Sequence, residues 1–196
     1  MKKEEKQIQK QINLQFFAAI YFLLFLIAIV FNEEKPFLKF PKLGPNFGRD
    51  MTWDILLGIL VGLLIVGISW ILNRKSEAFR ELVQSFRKIL GHLNTTEIFF
   101  IAAFSSLAEE FFFRGLIQGY FGIFFASMLF GLLHTGPGKK YLPWTIFAIS
   151  MGFILGGLYE WRGNLALPVV IHFVVNFLNL HLMMRKKIQR TNVTNI

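Results

Sequence analysis

Between Ile98 and Ile117, eleven Leu, Ile, Phe or Val side chains surround three ionisable ones, Glu109, Glu110 and Arg114 in LAEEFFFRG. A charge at the middle of a spanning helix costs about 2.5–3.5 kcal/mol on membrane-insertion scales, and each Leu, Ile, Phe or Val returns about 0.3–0.6. The eleven apolar side chains are worth roughly 3–7 kcal/mol. Three unpaired charges, at about 9 kcal/mol, erase that gain. A helix of this sequence cannot stand alone in lipid. It has to turn its charged side toward other helices or a polar cavity, so the chain must form a bundle.

The rest of the sequence supplies the partners. Apolar segments fall at 13–31, 52–72, 97–120, 121–134, 143–159 and 167–184. Of the 196 residues 54% are hydrophobic and only 17% charged, and recurring long apolar runs mark an integral membrane protein. The expected fold class is all-α, a polytopic membrane helical bundle of about six transmembrane helices. The first segment is too long for a signal-peptide core, and FNEEKPF offers no small-residue cleavage site, so it reads as a retained anchor. Gly58, Gly62 and Gly67 in the second suggest close helix packing.

Between the second and third segments, Phe79, Leu82, Val83, Phe86, Ile89, Leu90 and Leu93 recur at helical spacing, with Arg80, Arg87 and Lys88 opposite. This predicts an interfacial amphipathic helix over 76–93, acting as a lid or surface anchor. Asn94, followed three residues later by Glu97, is a helix-start signal for the third segment. HTGPGKKYLP breaks the chain after the fourth. The chain reads as one integral membrane domain over 1–196: two N-terminal helices in 13–72, the interfacial helix, and a four-helix core over 95–184. One length does not fit. The fourth segment, 14 residues at 1.5 Å each, reaches about 21 Å, short of a span. Either it starts lower, or EWRGNLALP dips into the membrane.

The formal net charge is +9, but the basic residues cluster at segment ends, as anionic lipid and the positive-inside rule demand, which argues against nucleic acid as a partner. With the N-terminus inside, the inner segments hold 15 of the 21 Lys and Arg residues and the outer ones five, with Arg114 in the membrane. A multi-pass cell-membrane protein with both termini cytoplasmic is expected. The chain has no cysteine, which excludes disulfides and thiolate metal sites.

Helical geometry gives the two acids different tasks. Glu110 and Arg114 stand at i and i+4 with the acid first, the favourable pairing order. Glu109 lies five residues from Arg114, roughly 140° around the helix at about 100° per residue, and is left aimed elsewhere. Other polar residues at membrane depth complete a set. His134 ends FGLLH, and His172 and Asn176 share a face at i and i+4 in IHFVVN. Asn179 extends that stripe, His181 and His92 fall outside it, and Ser105 and Ser106 read as back-bonding to their own helix.

Carboxylate, imidazole and carboxamide together suit hydrolysis. A poorly solvated glutamate is a useful general base for water, and Asn176 or a histidine N–H can donate to a developing oxyanion. Glu109, His134 and His172 would equally serve as a two-histidine, one-carboxylate zinc set, although the close-spaced HExxH pattern is missing. No Gly-flanked serine nucleophile is evident, and the only aspartates, Asp50 and Asp54, sit near a membrane boundary.

EEFFFR, FGLLH and HFVVN resemble the EExxxR, FxxxH and HxxxN signatures of the CAAX prenyl protease and bacteriocin-processing (Abi) family of membrane peptidases, over roughly 95–180. The resemblance implies an intramembrane endopeptidase acting on a membrane-associated protein or peptide. It implies that Glu109 activates water with help from His134, that His172 and Asn176 form the oxyanion site, and that Glu110 and Arg114 support Glu109. It also implies a metal-free mechanism with no cofactor, over the zinc alternative. The contrasting expectations are a non-enzymatic immunity or membrane-interaction protein of the same family, and a proton-coupled transporter, since buried Glu and His also mark relays. No repeated halves support the transporter.

Overall fold

The computed structural model describes residues 2–32 and 47–185. Lys35, Lys39, Lys42, Lys186, Lys187 and Arg190, which enter the charge count, lie outside the described residues. The elements in order are α1 (Lys2–Asn32), α2 (Phe47–Lys75), α3 (Glu77–Leu90), α4 (Thr95–Glu110), a π-helical segment (Phe111–Ile117), α5 (Gln118–Leu133), a 3-10 turn (Lys139–Tyr141), α6 (Leu142–Arg162) and α7 (Ala166–Arg185). The molecule is a helical membrane bundle. Its exterior is apolar, with Trp53, Leu64, Phe124 and Trp161 all more than 60% exposed, while Glu110 and Arg114 have no exposed surface. A soluble core has the opposite arrangement.

Among the described residues five stretches are long and apolar enough to cross a membrane: Leu14–Phe31, Gly48–Lys75, Thr95–Leu133, Lys139–Arg162 and Ala166–Arg185. The 39-residue third stretch contains both the third and the fourth predicted segments. Gly122, at φ 79° and ψ 170°, takes a backbone conformation that side-chain-bearing residues avoid, and it breaks the helix there. Beyond it the chain folds back. Arg114 lies 4.9 Å from the Phe130 ring, and His134 reaches Glu109. Each pair is nearly equidistant in sequence from Gly122, as in an antiparallel hairpin.

That hairpin settles the length that did not fit. Its second arm covers about half the depth of the first, so the turn after Leu133 lies at the level of Glu109. The amphipathic helix packs under this turn, with Phe86 edge-on to Trp144 at 4.6 Å and to Tyr141 at 6.0 Å. EWRGNLALP does not dip as an irregular loop. α6 continues to Arg162, Gly163 caps it with a left-handed conformation, and α7 starts at Ala166.

Local signals account for the ends. Asn94 and Glu97 form a reciprocal capping box at the start of α4, at 2.8 and 2.9 Å, and Pro143 sits in the first turn of α6. α2 and α7 run parallel. A Cβ added at Gly58 would meet Val170 at 2.6 Å, and one at Gly62 would meet Val174 at 2.7 Å. Gly67, expected at the same interface, faces open space. α5 and α6 pack closely where Gly131 faces Ile149 and Gly152 faces Ser127.

A side chain at Gly131 would stand 2.0 Å from Ile149 Cγ1 and within 3.0 Å of its backbone. Gly131→Val is therefore expected to destabilise the bundle by about 1–3 kcal/mol, whereas Gly67→Ala should fall within about 0.5 kcal/mol of the parent. Thermal unfolding in detergent checks both. Equal stability of the two variants would contradict the α5–α6 packing.

Candidate active site

Six of the polar residues singled out in the sequence meet in one place. α4 presents Glu109 and Glu110, the π segment Arg114, the end of α5 His134, and α7 His172 and Asn176. Arg114 Nε stands 3.0 Å from Glu110 Oε2, an ion pair between two side chains with no exposed surface. The contact lacks an aligned hydrogen bond, and the guanidinium rests against the Phe130 ring. Glu110 Oε1 in turn lies 2.8 Å from His172 Nδ1. Glu109 faces away from this pair. Its Oε2 is 3.4 Å from His134 Nε2 and 3.8 Å from His172 Nε2.

The outer nitrogen of each ring has its role fixed. His134 Nδ1 lies 2.6 Å from the carbonyl oxygen of Phe130, which can only accept, so this nitrogen donates. His172 Nδ1 likewise donates to Glu110. Both Nε2 atoms therefore point at Glu109. A neutral ring held this way offers a lone pair to a carboxylate, and the contact becomes attractive only with a proton between them. Such a trio can share a proton between carboxylate and imidazole. Asn176 donates from Nδ2 to Ser105 Oγ at 3.0 Å, which leaves its second N–H for another acceptor. Ser105 back-bonds to Ala102 and Ser106 to Ala102 and Ala103, as expected.

Glu109, His134 and Asn176 line a cavity of about 480 Å³. One wall is the apolar face of α3, including Phe79, Leu82, Val83 and Phe86, and the cavity extends toward the ends of α2 and α7 at Asn73 and Met183. The interfacial helix thus turns its apolar side to the site. α3 is fastened there by Arg87 Nε, which donates to the carbonyl of Met183 at 2.6 Å. Asn179 lines the same cavity, whereas His181 stacks on Phe177 and His92 lies 3.1 Å from the Leu93 carbonyl.

Residues 91–178 match the sequence model of a family described as type II CAAX prenyl endopeptidase Rce1-like. Over that stretch the chain is similar to the Rce1-like family. The match contains Glu109, Glu110, Arg114, His134, His172 and Asn176. A curated relative, the uncharacterized protein YpbD of Bacillus subtilis (strain 168), is 36% identical over 90 residues, 46% of this chain and 47% of that protein. The chain thus spans about half the length of the curated relative it matches. No solved structure matches it.

Three neighbours of the site were not evident from sequence. Tyr21 of α1 lines the cavity beside Glu109, within interaction reach of its carboxylate. Trp144 packs edge-on to His134 at 5.3 Å, and Thr145 Oγ1 donates to the His134 carbonyl at 3.1 Å. Tyr21 sits on an apolar anchor with no periodic polar stripe, and the other two follow a turn whose depth the sequence does not reveal. The π segment also gave no signal. Such insertions recur at functional sites, and this one lies directly after the glutamate pair. Among the described residues no group of three or more His, Asp or Glu side chains is arranged to hold a metal ion.

Arg114→Leu leaves Glu110 as a buried carboxylate with its cation removed. A loss of about 3–5 kcal/mol of stability is expected, read as a lowered unfolding midpoint and poor recovery from membranes. A variant as stable as the parent would show that the pair does not hold the core.

Proposed function

We propose that this protein is an intramembrane endopeptidase that hydrolyses a peptide bond with water activated by Glu109. The observation that carries the reading is the convergence of Glu109 Oε2 with His134 Nε2 and His172 Nε2, at 3.4 and 3.8 Å, beside a cavity that Glu109, His134 and Asn176 line. The Rce1-like match over 91–178 supports the same class of activity.

In this reading the substrate carbonyl enters the cavity with its oxygen toward Asn176 and His172. Glu109 takes a proton from water as the water oxygen bonds to the carbonyl carbon. His134 holds the carboxylate in place from the other side and shares the proton. The oxyanion that forms accepts from the free N–H of Asn176 and from His172 when a proton is on Nε2, and such preoriented donors act where charge develops. Collapse of the tetrahedral intermediate breaks the carbon–nitrogen bond, and the departing amine takes the proton from the Glu109–His134 pair. Glu110, joined to both Arg114 and His172, keeps the imidazole aimed. No step is assigned to a metal.

The substrate in this reading is a membrane-associated protein or peptide. It reaches the site from the end of the bundle that carries Arg74, Lys75, Arg185 and the basic face of α3, which the distribution of Lys and Arg makes cytoplasmic, with both termini.

Comparative proteomics of membranes containing the parent or Glu109→Gln tests the proposal. New peptide ends are expected with the parent and a loss of at least about 100-fold with the variant, the size of a missing general base. Identical ends in the two samples would overturn the peptidase reading. In purified protein, strong chelators are expected to leave cleavage unchanged. Stoichiometric zinc whose removal stops cleavage would replace the water-activating glutamate with a metal site of Glu109, His134 and His172.

A further inference from the structure

The mechanism makes no use of one buried carboxylate. Asp54, in the second turn of α2, is 1% exposed, far along the bundle from the cavity. Its Oδ1 accepts from Arg162 Nε at 2.6 Å, and its Oδ2 accepts from Asn164 Nδ2 at 3.0 Å. Asn164 Oδ1 then accepts from the backbone N–H of Ala166 at 2.8 Å, satisfying one of the free donors in the first turn of α7. The carboxylate also lies near the positive end of that helix. One acid thus ties α2, the end of α6 and the start of α7 together.

Below this knot, α2 and α7 run parallel. Asp54 stands opposite Asn164, just before α7, and one turn apart on both helices Gly58 packs against Val170 and Gly62 against Val174. Val170 and Val174 are each two positions from His172 or Asn176, about 200° around the helix. α2 therefore grips the back of α7 while the front offers His172 and Asn176 to α4. The glycine–valine contacts are shape contacts that repeat each turn, whereas the Asp54–Asn164–Ala166 chain is directional and allows one register. A slip of one residue shifts α7 by about 1.5 Å and turns it by about 100°. Misplacement by about 1 Å at a reacting centre costs on the order of 100-fold in rate.

We propose that Asp54 sets the axial register of α7 and is a positioning residue for His172 and Asn176. The consequence for cleavage rests on the peptidase reading above; the register itself does not. Because the chain has no cysteine, engineered pairs report the register directly. Ser105→Cys with Asn176→Cys joins α4 to α7 where their side chains meet at 3.0 Å. Ile123→Cys with Gly156→Cys joins α5 to α6, where an added Cβ lies 2.9 Å from Ile123 Cγ1, and serves as a control away from α2. Asp54→Leu is expected to slow oxidative cross-linking of the first pair at least about tenfold and leave the second unchanged. Asp54→Asn, which keeps one acceptor for Asn164, should fall between. An unchanged rate for the first pair in Asp54→Leu overturns the proposal. Should both pairs slow together in Asp54→Leu, Asp54→Asn decides: selective slowing of the first pair supports the register, and equal slowing or none overturns it. In otherwise unaltered protein, Asp54→Leu should lower the Glu109-dependent peptide ends about tenfold or more at unchanged positions. Absence of Glu109-dependent ends defeats the peptidase reading and leaves the cross-linking result standing.

Discussion

The ion pair of Glu110 and Arg114 has no exposed surface on either partner, and in hydrocarbon neither charge has water as an alternative. Each charge has to be met by protein. Glu110 spends one oxygen on Arg114 and the other on His172, while the guanidinium lies against Phe130. These contacts draw α5 and α7 onto the same segment of α4. The helix order, the hairpin and the packing of small residues all serve to bring those two helices close enough. An apolar exterior follows, because the polar groups have already been turned inward.

Depth is the second requirement, and Gly122 meets it. His134 has to arrive at the level of Glu109, and the two lie 12 and 13 positions on either side of this glycine. A reversal at Gly122 brings them together, at the expense of an arm too short to span. The space left beneath that arm is where α3 sits, and its apolar face walls the cavity. The short arm and the amphipathic helix are therefore two parts of one solution. A full-length fifth helix would fill the cavity, and its absence without α3 would open the glutamate to water.

Much of this was legible from residue types and spacing. The cost of three charges in an apolar run requires a bundle, the i and i+4 spacing pairs Glu110 with Arg114, and the same spacing puts His172 and Asn176 on one face. The capping box at Asn94 and the turn after His134 also follow from local chemistry. What escaped was long-range. Gly67 looks like Gly58 and Gly62 in sequence but faces open space, because neighbouring glycines do not say where the partner helix ends. Asp54 reads as a boundary residue, and its burial is not visible in the sequence because its partners lie more than 100 positions away. Tyr21 has no companion on α1 to mark it. The π segment has no pattern at all that we can identify in FFFRGLI, and its position between Glu110 and Gln118 is known only from the backbone.

The chain divides its labour along its length. The polar groups of the site lie within the Rce1-like stretch, 91–178, while Phe17, Tyr21, Trp70, Asn73 and the apolar face of α3 come before it and form much of the cavity wall. In the peptidase proposed above, the Glu, His and Asn side chains of the reaction centre need only four helices to hold them. The shape and length of what can reach that centre depend on α1, α2 and α3, which lie outside the matched residues. In that proposal, similarity over 91–178 bears on how a bond would be attacked and is silent on which bond. Among the described lining residues the walls are mostly aromatic and aliphatic, with amides at Asn73, Asn176 and Asn179, the Glu109 carboxylate, and no Lys, Arg or Asp. A segment entering such a cavity gives up water for apolar contact and finds amide partners for its backbone, so burial rather than ion pairing has to supply most of its affinity.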